Sequence, residues 1–80
     1  MMGTMESSEF LNRLIELTGI NIDRVDQQRK KRGTYWRQFY QVYYNRTEKG
    51  VDVARFKEFT DEPAYSEKDL QWIAKDLVRE

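Results

Sequence analysis

The chain contains no cysteine and no histidine. The first absence excludes disulfides and thiolate zinc sites. The second removes the commonest transition-metal ligand and the usual general base near neutral pH. No apolar run is long enough to cross a bilayer. The first residues lack the basic region and apolar core of a signal peptide. Without such a signal, Asn45-Arg46-Thr47 reads as a chance match to a glycosylation sequon. Lack of cysteine fits a reducing compartment, cytoplasmic or, in a eukaryote, nuclear. There is no glycine-rich phosphate loop and no calcium-loop pattern.

These absences weigh against catalysis. Asp61, Glu62, Glu67 and Asp69 could act as carboxylate acids and bases, but they cluster around a turn and a helix start, where acids serve local needs. A small helical domain also leaves little room for a pocket of about 300 Å³. The expectation is a non-enzymatic module with no cofactor, no metal and no small-molecule substrate.

What is present points to a folded domain. Eighty residues suffice for one domain. Two Trp, five Tyr and four Phe supply a core, since each can bury roughly 150–250 Å². The 14 basic and 14 acidic residues cancel, so high net charge does not force disorder. The cancellation hides a segregation. Arg24, Arg29, Lys30, Lys31, Arg32, Arg37 and Arg46 face only Asp26 within the central third, and acidic residues predominate on both flanks.

Periodicity predicts helices. Residues 1–7 read as a flexible leader and 8–80 as one helical domain. Phe10, Leu11, Leu14, Ile15 and Leu17 fall on one helical arc, with Ser7 or Ser8 as cap and Gly19 after the end. Residues Arg24 to Arg32 are polar apart from Val25 and read as a surface helix. Gly33-Thr34 breaks that helix, or the helix runs through it. Tyr35 to Arg46 covers an unusually wide apolar arc. Its residues also have high β-propensity, but clean alternation is missing, so a helix is expected. Asp52 would cap a short helix carrying Val53, Phe56 and Phe59. Ser66 opens a capping signature before Leu70, Ile73, Ala74, Leu77 and Val78. The expected fold is all-α: a compact bundle of four or five short helices. It includes a helix-turn-helix-like pair around the turn Ile20-Asn21-Ile22.

Two classes of function follow. In the preferred one, the module is a nucleic-acid-associated regulator or accessory protein. It would use Arg24, Gln27, Gln28, Arg29, Lys30, Lys31, Arg32 and Arg37, because cations release phosphate counterions and Gln can read an adenine edge. A solvated polar face is the plain alternative for this run. Tyr35, Trp36, Tyr40 and Tyr44 could stack single-stranded bases, although Trp36, Phe39 and Tyr43 are expected in the core. In the other class, the chain is a protein-interaction module: an adaptor, a small inhibitor or a homodimer. Tyr44 and Trp72 are its interface candidates. Trp72 lies among charged residues on the last helix, as an interface anchor or as a cover for the core edge.

Overall fold

The computed structural model describes residues 5–79. The order of elements is α1 (Ser7–Thr18), β1 (Ile22–Arg32), β2 (Tyr35–Thr47), β3 (Gly50–Thr60) and α2 (Glu67–Leu77). The strands form one antiparallel sheet in the order β1-β2-β3. Positions 1–4 of the expected leader lie outside the described residues, whereas Met5 donates its N–H to the Tyr65 carbonyl and Ser7 begins α1.

The two terminal helices form where periodicity places them. Phe10 and Leu14 are buried on α1, and Gly19 adopts the left-handed conformation with φ of 70°. The α1 N-cap position is Glu6, which makes no side-chain capping bond. On α2, Ser66 Oγ accepts from the Asp69 N–H at 3.1 Å, and Leu70, Ile73 and Ala74 are buried.

The centre overturns the all-α bundle and its helix-turn-helix-like pair. Arg24 to Arg32 is a strand, Tyr35 to Arg46 is a strand, and the expected short helix from Asp52 is β3. Local chemistry explains the difference. Gly33-Thr34 is a two-residue hairpin loop closed by the Arg32–Tyr35 pair, with a left-handed φ of 63° at Gly33. Glycine at the first loop position is the signature of a II′ turn, whose twist suits a hairpin. Glu48-Lys49 makes the second tight connection, between the paired Thr47 and Gly50.

Alternation exists along β2 but is masked on both faces. The inward residues are Trp36, Gln38, Tyr40, Val42 and Tyr44, and the outward ones include Tyr35, Phe39 and Tyr43. A polar Gln38 interrupts the apolar inward set, and aromatics interrupt the polar outward set. Two bulges adjust the ends. The register shifts between Ile22 and Arg24, so that Ile22 and Val25 both face inward while Arg24 turns outward. A second shift follows Tyr44, where Asn45 takes a φ of 52°.

Both helices cover the inward face. Phe10 stacks on Tyr40 at 5.6 Å between centroids, and Tyr65 meets both rings edge-on. The core comprises Phe10, Leu14, Ile22, Tyr40, Val42, Phe56, Leu70, Ile73 and Ala74. Within it lies a polar network. Gln38 is fully buried and uses both amide hydrogens, donating to Glu58 Oε2 at 2.6 Å and Asp69 Oδ2 at 2.8 Å. Its carbonyl oxygen accepts from Gln27 at 3.0 Å. The Tyr40 hydroxyl donates to Asp69 Oδ2 at 2.7 Å and accepts from the Tyr65 N–H at 2.9 Å. Satisfied in this way, buried polar groups specify how the layers meet; unsatisfied, each would be costly.

Trp72 covers an edge of this core, packing edge-on against Phe56 at 5.5 Å and remaining half-buried. Replacing Trp72 with Ala should therefore lower unfolding free energy by about 2–3 kcal/mol, somewhat below the range for a fully buried Trp. Urea denaturation would measure this. No loss of stability would show that Trp72 contributes nothing to the core.

Burial first, and then Asp69, push the Glu58 carboxyl up to about 7 from its ordinary 4.5. Between those values the folded chain keeps a proton that the unfolded chain releases. Stability should thus be fully present below about pH 4.5 and fall as pH rises from there through about 7. Urea midpoints measured across this range should show the fall, and Glu58→Gln should flatten it.

Candidate functional site

Helices on one side leave the other face of the sheet bare. β2, with 13 residues, spans about 40 Å at roughly 3.3–3.4 Å per step. Such sheets often present a plain polar face to water. This one instead presents Tyr35, Phe39, Tyr43 and Phe59 among cations. Tyr35 is 51% exposed and Phe59 68%, and clustered apolar exposure of this kind marks contact surfaces.

Strand pairing places each cation. Lys57 pairs with Phe39, Arg55 with Gln41, and Lys30 with Arg37 across the sheet. The Arg24 guanidinium lies over the Tyr43 ring at 4.2 Å from its centroid. Its pKa is raised by the Tyr43 side chain first and then by Asp26, so it stays charged. Arg37 and Lys57 approach the Phe39 ring at 5.7 and 5.9 Å. The Tyr43 hydroxyl donates to Gln41 Oε1 at 3.1 Å. At the centre is an open hollow of about 580 Å³, lined by Asp26, Gln28, Phe39, Tyr40, Gln41, Arg55 and Lys57. That volume lies within the range of about 300–1,000 Å³ typical of ligand clefts. It exceeds what a helical bundle led us to expect, because a twisted sheet edged by long side chains is concave.

The basic run predicted from sequence is divided by the pleat. Arg24, Gln28, Lys30 and Arg32 point to the bare face, joined there by Arg37 from β2. Gln27, Arg29 and Lys31 point to the helix side. Gln27 is committed to Gln38, as described above. Arg29 lies 4.7 Å over the Trp36 ring and donates to the Glu62 carbonyl, while its Nε is buried without a partner. Lys31 also approaches Trp36, at 5.3 Å. The run is therefore a strand with two unlike faces, not a helix presenting one.

Other expected positions are redistributed as well. Tyr44 is half-buried and packs against the core, and Trp72 does likewise from α2. Phe39 and Tyr43, expected in the core, lie on the bare face. Arg55 and Lys57 were not singled out from sequence; the signal that would have found them is the two-residue hairpin at Glu48-Lys49, which brings β3 alongside β2. Among the described residues, no group of His, Cys, Asp and Glu is arranged to hold a metal ion. No helix among the described residues is long and apolar enough to cross a membrane.

The two faces of β2 should respond oppositely to truncation. Phe39→Ala, on the bare face, should change stability by about 1 kcal/mol or less. Tyr40→Ala, next in sequence but fully buried, should cost about 3–5 kcal/mol. Denaturation midpoints of the two variants would check this, and equal losses would contradict the assignment of faces. Comparison with protein-family models, curated proteins and solved structures gives no match for this chain.

Proposed function

We propose that the chain is a non-catalytic nucleic-acid-binding module that receives a single strand on its bare sheet face. The observation that carries this reading is the interleaving of Phe39, Tyr43 and Tyr35 with Arg24, Lys30, Arg37, Arg55 and Lys57 on one uncovered surface. Aromatic rings offer stacking platforms to unpaired bases, and flanking cations neutralise phosphates. Bases within a duplex are already stacked and cannot lie on these rings. The overall neutrality of the chain does not oppose this, because charges beyond about 10 Å are screened at moderate salt. The acidic groups Glu67 and Asp69 belong to α2, on the opposite side of the sheet. Such a module would work as a regulator or accessory protein where nucleic acid is found, in cytoplasm or nucleus.

A second reading, contact with a protein partner, is favoured by a different place. Leu17 and Val78 are 45% and 53% exposed and line a hollow with Trp72 where α1 and α2 end. This is compatible with an accessory role, since it leaves the sheet free.

Fluorescence anisotropy with labelled single-stranded and duplex oligonucleotides tests the primary reading. Single strands should bind more tightly, and binding should weaken steeply between about 50 and 200 mM salt. Phe39→Ala should weaken single-strand binding about tenfold, as expected for loss of one stacked base. The triple change Arg37→Ala, Arg55→Ala and Lys57→Ala should weaken binding further and flatten its salt dependence. Absence of binding at about 50 mM salt, or equal binding of duplex, would overturn the proposal.

A further inference from the structure

Asp26 is an anion on the bare face, where phosphate binding alone would call for none. Asp26 lies on β1 opposite Gln41 and lines the central hollow beside Phe39. Arg24 approaches it at 3.4 Å, but the Asp26 side chain remains 45% exposed, so the carboxylate is available to a ligand. A carboxylate next to a phosphate track repels that track. Its presence in the hollow is explained if it meets a donor group instead. Phe39 supplies the stacking surface, and the cations Arg55 and Lys57 lie on the opposite wall from Asp26, across the paired strands.

We infer that this hollow is a base-reading subsite selective for guanine; the inference rests on the single-strand reading above. An ionised carboxylate only accepts hydrogen bonds. On its Watson–Crick edge, guanine carries two adjacent donors, N1–H and the N2 amino group, which together match a carboxylate. Adenine and cytosine offer one amino group beside a ring nitrogen lone pair, which a carboxylate repels. Thymine and uracil offer one N–H between two carbonyl oxygens, which is worse. With guanine stacked on Phe39 and its donors on Asp26, the amides of Gln28 and Gln41, two wall groups on the Asp26 side of the hollow, can donate to the O6 and N7 acceptors. Arg55 and Lys57 would then face the sugar–phosphate side.

The test uses labelled strands of nine thymidines, with the central residue kept or replaced by guanine, hypoxanthine, adenine or cytosine, and the same set as ribonucleotides built on uridine. The guanine strand should bind about tenfold more tightly than the thymidine, adenine and cytosine strands, within the range for a two-point base contact. Hypoxanthine, which lacks the N2 amino group, should lose part of that gain. Asp26→Asn should abolish the preference while binding the all-thymidine strand as well as or better than the parent, because a negative charge is removed. The ratio of affinities isolates base reading from this charge effect, and a thermal melt of Asp26→Asn checks that it folds. Comparing the deoxy and ribo sets tells DNA from RNA as the source of the base. Equal affinities for all central bases, or a preference that survives in Asp26→Asn, would overturn the guanine subsite yet leave the single-strand reading standing. Failure of every strand to bind would overturn both.

Discussion

The carboxylate of Asp69 holds the two layers of this protein together. It sits on the first turn of α2, is 2% exposed, and accepts from both Gln38 and Tyr40 of the central strand. A carboxyl group this deep is tolerable only when it is hydrogen-bonded, and both of these bonds fall on Oδ2. The donors that satisfy it fix the height and direction of α2 on the sheet. Tyr40 extends the constraint, since its hydroxyl also receives the Tyr65 N–H and its ring stacks on Phe10 of α1. Both helices are thereby committed to one side of the sheet, and the other side is left open.

That openness follows from how little the helices cover. The described residues form two helices, of 12 and 11 residues. At 1.5 Å per residue each is about 17–18 Å long. They cover the middle of the inward face and no more. Towards the hairpin at Gly33, Trp36 is covered by Arg29 and Lys31 rather than by a helix. Among the described residues, the outward face gains cover only from its own long side chains. Its aromatics are held by cations stacked on them, as Arg24 is on Tyr43, an arrangement that keeps a partly apolar surface hydrated.

The same sharing of residues between faces governs how much could be read without coordinates. α1 and α2 were legible because each has one apolar stripe against a polar background, and because Gly19 and Ser66 carry their own local geometry. The strands were not. A search for alternation along β2 meets Gln38 where an apolar residue is expected and Phe39 and Tyr43 where polar ones are. Gln38 is inward because Asp69, 31 residues away in sequence, needs its donors. No local window contains that reason. Lacking the period of two, the segment resembled a wide amphipathic helix. Its β-branched and aromatic content and the Gly33-Thr34 pair were the weaker but correct signals.

By itself, then, the sequence determined the two terminal helices, the absence of thiol and imidazole chemistry, and the concentration of cations in the central third. These are properties of composition or of interactions within a few residues. The tertiary structure alone decided that the centre is a sheet, that the basic run is split between its faces, and that Phe39, Arg55 and Asp26 share one hollow. The reason is that strand pairing joins residues distant in the chain, and a pleat assigns neighbours in sequence to opposite sides. Which side becomes a surface is settled only when a buried carboxylate brings the helices to the other.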